Sequence, residues 1–216
     1  MSPKPPQIPP IAPRRVEVLA FPDVQLLDVA GPIQVFTAAN EQTAKGRAPA
    51  PYTIRVVAPD GAQIRATSGL TFATAPLPGI AEPLDTLIVA GGQGVMRAAE
   101  DPHLVGWVSA RAGAARRTAS VCTGAFLLAA AGLLDRRRAV THWEYCDLLG
   151  RRYPAVTVDP DPIFIHDGPV WSSAGVTAGI DLSLALVEED LGRAIALGVA
   201  RHLVMFLKRP GGQAQF

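Results

Sequence analysis

The stretch Arg117-Thr-Ala-Ser-Val-Cys122-Thr-Gly-Ala-Phe-Leu-Leu-Ala-Ala-Ala-Gly132 constrains this chain more than any other. A β-type run over Thr118 to Val121 stops at Cys122, and a small-residue helical run starts two residues later. A residue caught between a strand end and a helix start lies on a sharp turn, its side chain pushed into the space above the sheet. Open α/β folds place ligands and nucleophiles at such turns. The positive end of the following helix favours negative charge, so a thiol here is expected to ionise more readily than a free one. Cys122 is the candidate functional centre. The other fate of a free cysteine is to fill space in the core, and that reading suits Cys146, which lies inside an expected helix without such a turn.

The rest of the chain alternates strands with helices. Val16–Ala20, Tyr52–Ala58, Asp85–Ala90 and Arg117–Val121 read as strands, with shorter ones around Ser68-Gly69 and at 139–141, 156–158, 163–166 and 170–173. Helices are expected over 32–40, opened by Pro32 at a first helical position and stopped at Asn40, and over 102–115 and 143–152. A helix from Thr177 carries Ile180, Leu184, Val187 and Leu191 at helical spacing and ends at Gly192; a last one runs over 194–208. This alternation predicts an α/β fold with a mostly parallel sheet and helices on both faces.

Composition narrows the class further. The 216 residues fit one large domain, expected over 15–208, and a 49% hydrophobic content can build its core. Residues 2 to 13 hold six prolines, so 1–14 are expected to be a disordered, Pro-rich tail. A net charge of +1 argues against nucleic-acid binding by this segment itself, and Arg136-Arg137-Arg138 and Arg151-Arg152 read as solvated surface. The two cysteines lack the spacing of a disulfide framework or a thiolate zinc site, and the four histidines show no ligand spacing, so neither metal nor cofactor is expected. No signal peptide or membrane-length apolar run is read, and a reducing cytoplasm fits this best.

Four further features sit near the turn in the expected topology. Gly91-Gly92-Gln93-Gly94 follows a strand directly, so its N–H groups can line an anion pocket or simply form a tight turn. No G-x-G-x-x-G opens a helix after the first strand. Asp28 follows two leucines before a helix start, where it either shares a proton with the thiol or a ligand, or caps the helix. Thr123 offers a hydroxyl and a backbone N–H to an anionic atom. His142 ends the next strand, either as a base for Cys122 or as a packed histidine, and Ser173 ends another, either lining the pocket or capping a helix.

Phe21-Pro-Asp-Val-Gln-Leu-Leu-Asp28-Val-Ala-Gly-Pro32, the glycines at 91 to 94, Ser120-Val-Cys-Thr-Gly-Ala125 and Thr141-His-Trp143 together resemble the ThiJ/PfpI family. That resemblance implies a flavodoxin-like sandwich, similar to class I glutamine amidotransferases, with a nucleophile-elbow cysteine and a homodimer. Two branches are similar: isocyanide hydratases around Asp28, Cys122 and Thr123, and the N-terminal domain of AraC-type transcriptional regulators. Asp159-Pro-Asp-Pro-Ile-Phe164, Trp171 to Asp181 and Arg209-Pro-Gly-Gly-Gln-Ala-Gln-Phe216 resemble the regulators. In those, the last segment runs into a linker and a helix-turn-helix pair, so 209–216 are expected to start a linker to a DNA-binding domain absent from this chain. Thr123 stands where the peptidase-like members carry histidine, which speaks against a protease. The resemblance implies a sensor of an unknown small molecule or oxidant, with a hydratase-like cysteine enzyme as the alternative.

Overall fold

A computed structural model of the chain describes residues 12–46, 48–209 and 211–215. Strand β1 (Arg14–Leu19) turns into helix α1 (Leu26–Lys45), then come β2 (Tyr52–Ala58), β3 (Gln63–Arg65), β4 (Thr71–Ala73), β5 (Ala75–Pro76) and β6 (Leu84–Val89). Helices α2 (Val95–Glu100) and α3 (Pro102–Ala114) lead to β7 (Ala115–Ser120), a 3-10 turn at Cys122–Gly124 and α4 (Ala125–Ala130). The remainder holds β8 (Arg138–Ala139), a 3-10 turn at Trp143–Tyr145, α5 (Cys146–Arg152), β9 (Thr157–Val158), β10 (Phe164–Asp167) and β11 (Val170–Ser173). It closes with α6 (Ala178–Leu191), α7 (Arg193–His202) and a 3-10 turn at Gln213–Gln215.

The main sheet has the order β10-β11-β7-β6-β1-β2-β5, parallel throughout except for the β10–β11 hairpin. Its centre reads as near-continuous apolar sequence because both faces are covered: β6 buries Leu84 and Thr86 to Val89, and β1 buries Val16 to Leu19. Helices α1, α6 and α7 pack together as one layer, and α2, α3 and α4 as another. After β1 the chain moves outward to β2, then returns to the other side of β1 as β6. The carboxyl ends of β1 and β6 therefore flank the switch point, where open α/β sheets leave a crevice.

Several boundaries differ from the sequence expectations. Helix α1 starts at Leu26, and Pro32 lies inside it. Proline forfeits one intrahelical bond there, but Val29, Pro32, Val35 and Phe36 are all buried, and that packing holds the helix through the gap. Asn40 does not stop it. Its amide instead braces Tyr52, accepting from the Tyr52 N–H at 3.0 Å and donating to its carbonyl at 2.9 Å. Helix α2 follows the Gly91–Gly94 turn without having been anticipated. Gly192, at φ +81°, does end α6. The last helix stops at His202 because Val204 adopts φ +54°; the Met205 N–H then returns to Ala200 O and the Val204 N–H to Arg201 O. That pair closes a helix end, although a β-branched residue rarely adopts such a φ.

The Pro-rich tail was expected over 1–14. Residues 1–11 of it lie outside the described residues, and Arg14 already belongs to β1. Most of the side chains in the basic runs pair with acids on the surface: Arg137 with Asp167, Arg138 with Asp159 and Arg152 with Glu100. No described helix is long and apolar enough to cross a membrane.

Candidate functional site

Three loops meet at the carboxyl edge of the sheet. The loop after β1 and the loop after β6 are laced together: the Gln25 N–H donates to Gly91 O (2.8 Å) and the Gly94 N–H to Asp23 O (3.2 Å). The third is the β7–α4 turn, where Cys122 adopts φ +54°. A non-glycine residue at positive φ is uncommon and persists only where the surroundings over-determine it. Here they do. The Cys122 N–H donates to Ala174 O (3.1 Å), and its carbonyl accepts the Thr141 hydroxyl (2.8 Å).

Asp28, on the first turn of α1, is 0% exposed and lies behind the turn. One carboxylate oxygen accepts the Gly91 N–H at 2.9 Å; the other is buried without a hydrogen-bond partner. Burial raises this carboxyl from its ordinary 3.8 to about 7, against the smaller lowering effect of the Gly91 N–H. Gly91 is required for this approach. A Cβ there would lie 2.7 Å from both the Thr123 nitrogen and its Oγ1 and 2.8 Å from the Asp28 carboxylate, closer than real Cβ atoms come.

Burial runs against the expectation of a readily ionised thiol. Cys122 is 6% exposed, and burial first, then the Asp28 carboxylate, pushes its pKa up to about 12. The Val176 and Thr123 backbone and the Thr123 hydroxyl favour the thiolate, without prevailing. The local argument from the helix end is correct in sign, but desolvation is larger.

The sulfur is not sealed in. Cys122 and Thr123 line a cavity of about 210 Å3, walled by Gln25, Thr67, Gly92, Gln93, Val95, Met96, His142, Tyr145 and Val176. Of the sequence candidates, Cys122, Thr123, His142 and Gly92 reach this cavity. Asp28 and Gly91 stand behind it. The Gly91 and Gly92 N–H groups are not free for a ligand, since Gly91 donates to Asp28 and Gly92 to Thr123 Oγ1 (2.9 Å). Gly94 is turned away, capping α2 against Pro22, and Ser173 is buried in the sheet, donating to Ser120 O (3.3 Å).

His142 makes no hydrogen bond to Cys122 among the described residues. Its Nδ1 accepts the Glu144 N–H at 3.3 Å, and its ring stacks on Trp143. Sequence reasoning missed Gln25, Gln93, Thr67, Val95, Met96, Tyr145 and Val176. The first two lie in loops that follow parallel strands, a signal that was available. Thr67 arrives from the β3–β4 hairpin, where its hydroxyl donates to Gln25 Oε1 (3.1 Å), and nothing local announces it. No group of three His, Cys, Asp or Glu among the described residues is placed to hold a metal.

A mostly parallel α/β domain with a cysteine on a strained turn beside the switch point, backed by a buried carboxyl, defines a class. The chain belongs to the DJ-1/PfpI family, whose model matches residues 14–189. An isonitrile hydratase of Pseudomonas putida is 36% identical over 180 residues, covering 82% of this chain and 72% of that protein. The HTH-type transcriptional regulator CdhR of Pseudomonas aeruginosa is 36% identical over 162 residues, 74% of this chain and 47% of its own. The chain thus spans about half of that regulator. A crystal structure of an AraC family transcriptional regulator from Pseudomonas putida superposes with a TM-score of 0.75 at 25% identity, covering 88% of this chain and 100% of that one.

Proposed function

We propose that this chain is the small-molecule-sensing domain of an AraC-type transcriptional regulator, with DNA contacted by another domain. A cytoplasmic homodimer belongs to the same reading. The observation that carries it is the cavity itself: a buried thiol, raised to about 12 and so uncharged at rest, faces a small chamber instead of solvent. A chamber of about 210 Å3 is below the range of roughly 300–1,000 Å3 for drug-sized ligands. Its lining offers amides and hydroxyls from Gln25, Gln93, Thr67 and Tyr145 beside Val95 and Met96, and includes no Asp, Glu, Lys or Arg. With none of these in the lining to compensate a net charge, a small ligand without net charge suits this reading, with His142 as its imidazole partner. For a switch, the ligand must favour one arrangement of the attached domains over another; tight binding alone shifts nothing.

A thermal-shift screen with small neutral amides, nitriles and aldehydes tests this. A ligand at a hundred times its Kd adds about 2.7 kcal/mol, or roughly 5–10 °C for a chain of this size. The shift should vanish in Gln93→Ala. Absence of any saturable shift across these compounds removes the sensing reading.

A second reading, a hydratase, is favoured by the unpartnered oxygen of Asp28 on a carboxyl that titrates near neutrality. The thiol proton would pass to Asp28 while sulfur bonds to the isocyanide carbon, and that proton would then return to the carbon, giving a thioimidate. Water adds to the same carbon and the thiol leaves, yielding the N-substituted formamide. Wild-type chain mixed with cyclohexyl isocyanide should then form N-cyclohexylformamide, and Cys122→Ala should not. Equal, background-level product from both would end this reading.

A further inference from the structure

Gln213 is buried to 4% exposure inside a Gly-Gly-Gln-Ala-Gln segment that has almost no apolar surface to drive it inward. Hydrogen bonds hold it there. Its side-chain amide donates to Thr141 O (3.0 Å) and Pro160 O (2.9 Å), its backbone N–H to Asp161 O (2.7 Å), and the Ala214 N–H to Asp161 Oδ1 (2.9 Å). Upstream, Arg209 pairs with Asp181 and donates to Thr177 Oγ1 (3.2 Å) at the start of α6. The segment expected to begin a linker is held to the domain, as a strap, at both Arg209 and Gln213.

Thr141 joins this strap to the cysteine. It is 0% exposed; its carbonyl receives Gln213, and its hydroxyl donates to the Cys122 carbonyl at 2.8 Å. Two hydrogen bonds and one residue therefore separate Gln213 from a backbone held at φ +54°. A second cavity, about 200 Å3, lies between strap and site, lined by Arg209 and Gln213 on one side and sharing His142 and Val176 with the first. Val176, which lines both cavities, itself adopts φ +34°.

We infer that Gln213 is a positioning residue for Cys122. The docked strap fixes Thr141, Thr141 fixes the carbonyl of the turn, and undocking loosens the turn and opens the sulfur to reagents. Coupling of this kind is reciprocal. A molecule that shifts the turn changes strap docking by the same free energy, which is how an event in the first cavity would leave the domain. The inference rests on the reading of Cys122 as the functional group.

The test is the rate of Cys122 alkylation by iodoacetamide between pH 7 and 10, read by mass spectrometry of peptides that report Cys122 and Cys146 separately. Gln213→Ala should raise the Cys122 rate about tenfold, the change expected when one to two hydrogen bonds stop holding the closed turn. Its pH profile should move down towards that of an ordinary thiol. Thr141→Val should act alike and add nothing in the double variant, the non-additivity of a single chain of contacts. Thr141→Ser, which keeps the hydroxyl, should stay within about twofold of wild type. Asn40→Ala removes two comparable bonds between α1 and β2, far from the turn, and controls for general loosening. A Gln213→Ala rate within twofold of wild type, an equal rise in Asn40→Ala, or additive effects would each overturn the inference. Should Gln213→Ala not fold, Gln213→Asn, too short to span both carbonyls, is judged by the same criterion. Alkylation needs no ligand, so a negative result here leaves the sensing reading standing, and a failed ligand screen leaves this coupling standing.

Discussion

Asp28→Asn should flatten the acid side of the stability profile and make the chain more stable than wild type at pH 8. The carboxyl is raised from 3.8 to about 7 by burial, so the folded state holds its proton where the unfolded state has released it. Stability contributed by the neutral form is complete below about pH 4 and is lost as pH rises towards 7, by roughly 1.4 kcal/mol per pH unit and on the order of 4 kcal/mol in total. Asparagine cannot titrate. It keeps an oxygen for the Gly91 N–H but puts an amide NH2 where the carboxylate oxygen has no partner, a cost of about 1–3 kcal/mol at every pH. The slope is therefore the diagnostic. Between pH 4 and 8 the difference between variant and wild type should move by roughly 10 °C in favour of the variant. Parallel melting curves across that range would show that Asp28 is already ionised at low pH and that no proton is stored beside the sulfur.

Arg111→Ala should cost about 3–5 kcal/mol, the usual loss when one member of a buried ion pair is removed. Arg111 on α3 and Glu17 on β1 are both 0% exposed and meet through two bonds, of 2.9 and 2.7 Å. The remaining guanidinium nitrogen binds the carbonyls of Gly79, Ile80 and Glu82, which lead into β6. Arg55 also reaches Glu17 at 2.8 Å, so the carboxylate keeps one partially exposed partner after the change. Urea denaturation should show the loss as a lower midpoint with an unchanged slope. The double replacement Glu17→Leu with Arg111→Met should recover much of it, because apolar side chains of similar size do not pay to desolvate charge. A loss below about 1 kcal/mol for the single variant would mean that the pair contributes nothing. This network braces the strands at the amino-terminal side of β6, away from the cavity, so ligand-induced shifts should persist in any variant that still folds.

Where function depends on local order along the chain, residues declared themselves early. The break from Val121 to the small-residue run marked the turn, and the alternation of strand and helix dictated a parallel sheet, so every loop following a parallel strand faces one edge. That rule placed Asp28, Gly92, Cys122 and Thr123 around one crevice. Long-range contacts were less visible. Pro32 seemed to open a helix because its missing N–H is a local fact, whereas the buried face that carries α1 through it is not. His142, at a strand end beside the turn, invited a cysteine–histidine pair, yet its ring shares the cavity with Cys122 without a hydrogen bond to it among the described residues. The family resemblance made 209–216 the expected start of a linker, and nothing local announced the four hydrogen bonds of the Gln213–Ala214 pair, three of them to Pro160 and Asp161.

Periodicity, turn chemistry and the junction at Cys122 belong to neighbouring residues, and the chain order alone was enough to establish the fold class and the sheet edge where the candidate residues gather. The protonation of that site belongs to no neighbour. Asp28 reaches Gly91 across 63 positions, and the thiol's rise to about 12 comes mainly from water excluded by the surrounding elements. Removal of solvent is a property of everything packed around an atom, so the sign of that shift could be decided only once the whole domain had closed over it.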